Sequence, residues 1–113
     1  MARLAEAVEA ANAQRERYFE AEIHRLRGEV LRDTGDHTAA EVSFRTAIDT
    51  ARHQSAKLWE LRSSVSLAEM LRDQGKRAAA RDLLAPVYDW FTEGFDTPDL
   101  IEAKALLDDL NRG

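Results

Sequence analysis

The stretch EVLRDTGD, Glu29–Asp36, returns forty residues later as EMLRDQGK, Glu69–Lys76. Sliding the chain on itself by that interval also sets Glu20 on Glu60, Ala39 and Ala40 on Ala79 and Ala80, and Asp49 on Asp89. Conservative matches fill the space between: Phe19 with Trp59, Val30 with Met70, Phe44 with Leu84. The same shift carries Val8 onto Ile48, Ala11 onto Ala51 and Gln14 onto Gln54, so residues 1–14 read as the second half of an earlier unit. Self-similarity at a period of this size marks stacked supersecondary units rather than a single irregular core.

Each unit reads as two helices around a glycine. In the first, Phe19, Ile23, Leu26 and Val30 follow the spacing of one helical face. Gly35 then stops the helix, because glycine takes the left-handed conformation at little cost. Asp36 follows as an N-cap candidate, with Thr38 and Glu41 as an alternative capping box. The second helix places Ala40, Phe44, Ala47, Ile48 and Ala51 on one face. Unit two repeats the plan with Leu58, Leu61, Val65, Ala68 and Leu71, then Gly75, then Ala80, Leu84, Val87 and Phe91. Small residues beside large ones, Ala40 with Phe44 and Ala80 with Leu84, suit ridges-into-grooves packing of antiparallel helices. Pro86 predicts a kink near Asp82–Pro86, and Gly94 the end of that helix. Thr97, Pro98 and Asp99 then read as the start of a last helix with Leu100, Ala103, Leu106, Leu107 and Leu110 on its apolar face.

The chain resembles the tetratricopeptide (TPR) repeat family on these positions. Its pattern W-x2-L-G-x2-Y…A-x3-F…P meets His24-x2-Arg27-Gly28-x2-Leu31 and Ala40-x3-Phe44 in unit one. In unit two it meets Ser64-x2-Leu67-Ala68-x2-Leu71 and Ala80-x3-Leu84. The tryptophan and the closing proline are absent, and the period is 40 rather than 34. The resemblance implies an all-α fold: antiparallel helix pairs in a short right-handed solenoid. The expected helices are 2–12, 16–34, 37–52, 56–74 and 77–92, with a capping helix at 98–110. The expected single domain 1–113 divides into a half repeat 1–14, repeats 15–54 and 55–94, and the capping helix within 97–111. Gly28, Gly35, Ala40, Phe44, Ala68, Gly75, Ala80 and Leu84 form the packing signature. The ending LLAPVYDWFTEGFDTPDLIEAKALL, Leu83–Leu107, is similar to the C-terminus of a bacterial multidomain signalling family. In that family an adenylate/guanylate cyclase or activator domain and a signalling ATPase domain precede a helical-repeat array. The resemblance implies a fragment or a short stand-alone relative of such a protein.

Composition bounds the function. The chain has 113 residues and a formal charge of −5, against the basic surface that nucleic-acid binding needs. It has no cysteine, hence no disulfide framework and no thiolate metal site. The N-terminus lacks the apolar core of a secretory signal, and no run reaches the roughly 18 apolar residues of a membrane helix. These features predict a cytoplasmic protein without membrane or nucleic-acid partners.

No phosphate-binding G-x-x-x-x-G-K-[ST] loop, G-x-S-x-G elbow or H-E-x-x-H motif occurs, so no catalytic residue, metal or cofactor is expected. Glu20 and His24 lie four apart and read as a helical side-chain pair before a metal site. Trp59, Trp90, Phe91 and Phe95 read as packing before a ligand cage, though a small-ligand sensor near Trp59 and Trp90 is an alternative. The candidate partner-binding wall is the exposed side of each unit's first helix: Arg25, Glu29 and Arg32, then Arg62, Glu69 and Arg72. Guanidinium forks there suit a partner's carboxylates, and ion pairing along each helix is the competing reading. Leu4 and Val8 have no encoded partner and predict an exposed N-terminal face. The leading expectation is a non-catalytic module that binds a protein or peptide. The alternatives are a structural solenoid cap, and a homodimer through the N-terminal helix.

Overall fold

The computed structural model describes residues 19–112. All regular structure there is helical: α1 (19–33), α2 (His37–His53), α3 (Lys57–Asp73), α4 (Arg77–Asp89) and α5 (Pro98–Arg112). The protein is all-α, as the sequence predicts. The predicted helix 2–12, the half repeat 1–14, the first residues of the predicted helix 16–34, and Leu4 and Val8 lie outside the described residues.

Three short turns of one design join α1 to α4. In each, a backbone amide donates to the carbonyl five residues earlier: Asp36 to Leu31 at 2.9 Å, Ala56 to Ala51 at 2.8 Å, Lys76 to Leu71 at 2.8 Å. This closure satisfies carbonyls that a helix end leaves free, and it requires a left-handed residue just before the donor. Gly35 (φ +90°) and Gly75 (φ +80°) supply it twice, and Ser55 (φ +54°) supplies it between α2 and α3. Asp36 caps α2 by accepting from the Ala39 amide at 3.2 Å. Of the two expected capping arrangements this one forms, while Glu41 pairs with Arg45 at 2.9 Å. α4 ends at Asp89, short of the predicted residue 92 and of Gly94. Pro86, three residues earlier, contributes no amide to that last turn.

α3 lies at the centre. Leu61, Ser63, Ser64, Val65, Ser66, Leu67, Ala68, Met70 and Leu71 are all buried, so the helix is covered on nearly every side. α2 and α4 pack along it, and α5 closes the core with Leu100, Ala103, Leu106, Leu107 and Leu110. Ala40, Phe44, Ala68, Ala80 and Leu84 are each 0% exposed. Gly28 is buried against Phe44, and a Cβ there would fall 2.6 Å from two atoms of the ring. Gly28 and Phe44 flank the Gly35 turn symmetrically, which makes α1 and α2 an antiparallel hairpin.

Two apolar faces differ from expectation. Phe19, Ile23, Leu26 and Val30 do not point into the core of the described residues but are 50–62% exposed. Small residues form the inward face of α1 instead: Ala21 packs beside Ala51, Ala56 and Trp59, and Gly28 meets Phe44. Backbone approach over glycine and alanine turns the large side chains to the far side. Leu58, read as part of the α3 core face, is also exposed.

Candidate interaction surface

The wall predicted from the first helix of each unit is a surface built from α1, α3 and α5. Its arginines are already engaged between helices. Arg25 donates to Glu22 at 2.5 and 3.0 Å and to Ser66 Oγ of α3 at 3.4 Å. Glu29 lies 3.8 Å from Arg25. Arg32 reaches Asp73 at 2.6 Å and Glu69 at 3.5 Å. Arg62 stands between Glu22 of α1 at 3.8 Å and Asp99 of α5 at 3.1 Å. Arg72 contacts Asp73 at 3.3 Å and Asp109 of α5 at 3.4 Å.

These bonds also fix direction. Arg25–Ser66 and Arg32–Asp73 both span 41 residues, and Arg62–Asp99 and Arg72–Asp109 both span 37. A constant difference along two helices means that they run parallel. α1, α3 and α5 therefore form one parallel row, with each arginine of the repeated Leu-Arg-Asp reaching forward to the next helix. Ion pairing along a single helix, the reading offered against partner binding, accounts for only part of the pattern.

The wall carries more acid than base. Glu69 and Glu102 meet across α3 and α5, beside a cleft of about 90 Å³. Burial, and then the neighbouring Glu102 charge and hydrogen bond, push the Glu69 carboxyl above the usual range, against the opposing pull of Arg32. Arg25 is held more firmly protonated by its hydrogen bond to Glu22, an effect opposed by burial and reinforced by the charges of Glu22, Glu29 and Asp99.

The second feature is the α1 ridge of Phe19, Ile23, Leu26 and Val30. At 40 residues' distance these positions correspond to Trp59, Ser63, Ser66 and Met70 of α3. There Trp59 is half-buried, and Ser63, Ser66 and Met70 are 1%, 4% and 1% exposed. The same repeat position is thus covered in α3 and open in α1. Asp33 repeats the contrast. Its equivalent Asp73 receives Arg32, whereas Asp33 makes no ion pair among the described residues.

The remaining candidates do not assemble into one site. Arg62 stacks over Trp59, 4.6 Å from its ring centroid, and Lys57 lies 5.4 Å from that of Trp90. Phe91 meets the edge of Trp90 at 5.2 Å, and Phe95 lies 5.9 Å from Tyr88. A concavity of about 360 Å³ runs along Glu20, Asp49, Thr50 and His53 and is lined by neither tryptophan. His53 Nδ1 meets the Asp49 carbonyl at 2.8 Å. Among the described residues no three His, Asp or Glu side chains converge as a metal site. No described helix is long and apolar enough to cross a membrane.

Sequence reasoning found the wall helices but missed Glu22, Asp99 and Asp109 as partners of the arginines, and Glu102 as the neighbour of Glu69. The signal was present: one period plus one residue joins Arg32 to Asp73. Compared with known proteins, the chain matches no family model, no curated protein and no solved structure.

Proposed function

We propose that this chain is a non-catalytic helical-repeat module that mediates protein–protein contact. The observation that supports this reading is the ridge of Phe19, Ile23, Leu26 and Val30, four large apolar side chains in line on α1 and 50–62% exposed. A contiguous apolar ridge of this kind is a feature of interaction sites rather than of inert surface. The setting in a bacterial signalling cyclase/ATPase rests on the resemblance of residues 83–107. A purely structural, solenoid-closing role is the second reading. It is favoured by the wall arginines, among which Arg32 and Arg62 tie neighbouring helices together through Asp73 and Asp99.

The test compares the full chain with an Ile23→Asp/Val30→Asp variant by light scattering across a concentration series and by binding of an apolar fluorescent dye. The expected result is association or dye binding in the wild type that the variant loses while its helicity by circular dichroism stays the same. Wild type and variant behaving alike in both measurements would sink the proposal.

A further inference from the structure

The ridge on α1 is bordered along one side by two charges. Glu20 and Arg27 are exposed, and neither makes an ion pair among the described residues. Arg27 stands out because the other arginines of α1 and α3 are taken: Arg25, Arg32, Arg62 and Arg72 all have acidic partners. Seven residues separate Glu20 from Arg27, which is two helical turns or about 10.5 Å of rise on the same flank. The midpoint of this pair falls at residues 23–24. The midpoint of the ridge falls between Ile23 and Leu26, only about one residue's rise away.

That arrangement is self-complementary. When two copies of α1 pack antiparallel about a two-fold axis, positions on the same flank meet at mirrored distances from the axis. Ile23 and Leu26 then lie at the centre, Phe19 approaches Val30 of the second copy, and Glu20 of each copy faces Arg27 of the other. The inward face of α1, with Ala21 and Gly28, lies on the opposite side of the helix and stays against α2 and α3. An isologous contact demands a patch that complements itself, in charge as well as in shape.

We infer that the partner of the α1 ridge is a second copy of this chain, packed antiparallel through Phe19, Ile23, Leu26 and Val30 and held in register by two Glu20–Arg27 pairs. This inference rests on the reading of the ridge as an interaction surface and adds its occupant. With only four apolar residues per copy the contact is small, and contacts of that kind are weak and dissociable. The flanking charges set register and exclude misaligned pairings more than they add affinity.

Charge exchange in the full-length chain tests it. Arg27→Glu sets carboxylate against carboxylate at both charge contacts of the dimer, and Glu20→Arg sets guanidinium against guanidinium. Each variant alone is expected to dimerise about ten- to a hundredfold more weakly than wild type in sedimentation equilibrium. An equimolar mixture is expected to recover a dimer, since each acidic ridge then faces a basic one. Both side chains are exposed and make no ion pair among the described residues, so thermal melts of the dilute monomers are expected to match wild type. That match separates lost association from lost folding.

A wild type that stays monomeric at every concentration overturns the inference, whether residues 1–18 of the same chain or a different protein cover the ridge. So does an Arg27→Glu variant that dimerises as wild type does, or a mixture that recovers nothing. In each of these cases the broader interaction reading survives if Ile23→Asp/Val30→Asp still abolishes dye binding or association. It fails with the inference only if that variant also changes nothing.

Discussion

α1 and α3 occupy the same place in successive repeats, and they live in opposite surroundings. α3 is covered on nearly all sides and carries serines at positions 63, 64 and 66, where small side chains let neighbouring helices come close. Among the described residues α1 is covered on one side, and it carries Ile23 and Leu26 where α3 has Ser63 and Ser66. The open helix thus has the greasier outer edge, and the buried helix the more polar one. Hydropathy at a repeat position therefore reports how tightly a neighbour packs as much as whether one is present. Where backbones touch, bulk is excluded; where none touches among the described residues, bulk remains.

The sharpest way to break this comparison is to place the same charge at equivalent positions. Met70→Asp would bury an unpaired carboxylate and is expected to cost about 3 kcal/mol or more, enough to unfold a small domain. Val30→Asp, forty residues earlier, is expected to stay within about 0.5 kcal/mol of wild type. Urea denaturation of the two variants, followed by circular dichroism, reads both. Equal losses would mean that Val30 is as enclosed as Met70.

Gly28 and Ala68 give a second matched pair. Unit one combines Gly28 with Phe44, and unit two combines Ala68 with Leu84, so a larger ring is offset by a missing methyl. Gly28→Ala drives its Cβ into the Phe44 ring and is expected to cost about 1–2 kcal/mol, the overpacking penalty less the gain in helix propensity. Adding Phe44→Leu recreates the unit-two combination and should restore much of that loss in a double-mutant cycle. Additive losses would show that the two units pack by different rules.

The turns offer a smaller effect. Ser55 holds the left-handed conformation that Gly35 and Gly75 adopt more cheaply. Ser55→Gly is expected to raise stability by about 0.5 kcal/mol, the relief of backbone strain less the entropy of an added glycine. A calorimetric melting temperature that falls instead would show that the Ser55 side chain stabilises the turn.

The smallest effect is pH-dependent and belongs to the wall. The Glu69 carboxyl is pushed up by burial and by Glu102, so between its unfolded and folded values the native state holds more protons than the unfolded one. Its contribution to stability is present at low pH and is lost as pH rises through the raised folded value. Glu69→Gln, which keeps an acceptor for Arg32, is expected to flatten the stability profile just above the ordinary carboxylate range. An unchanged profile would exclude proton sharing between Glu69 and Glu102.

Much of this architecture was legible in the sequence because it depends on local rules. Gly35 and Gly75 mark turns that require a left-handed residue, and Ala40, Phe44, Ala80 and Leu84 mark the faces that meet across them. The inner face of α1 was not legible by the same route. Periodicity identifies an apolar stripe but cannot say which side a neighbour occupies, and Ala21 and Gly28 carry too little hydrophobicity to outvote Phe19 and Ile23. Ser55 gave no turn signal at all, since serine takes this conformation only when the surrounding structure imposes it. The arginine wall was legible as a row of helices but not as a set of bonds, because a period aligns equivalent residues without saying that Arg32 reaches one residue beyond its own equivalent. The end of α4 at Asp89 was not legible: the sequence pointed to Gly94, and Pro86 disturbs the turn before it rather than the residues that follow.

The three short turns bear on how quickly the chain can assemble. Consecutive helices from α1 to α4 are joined by only three residues each, so nearly every helix meets a neighbour that is also next to it in sequence. Loop closure over such distances takes tens of nanoseconds, and chains dominated by local contacts reach the native state in roughly microseconds to milliseconds. The slower event is the arrival of α5, which crosses the eight-residue connection after α4 to lie along α3. A kinetic trace should therefore separate Arg62→Ala and Arg72→Ala, whose bonds form with that last docking and mainly slow unfolding, from Gly35→Ala, whose turn must close first.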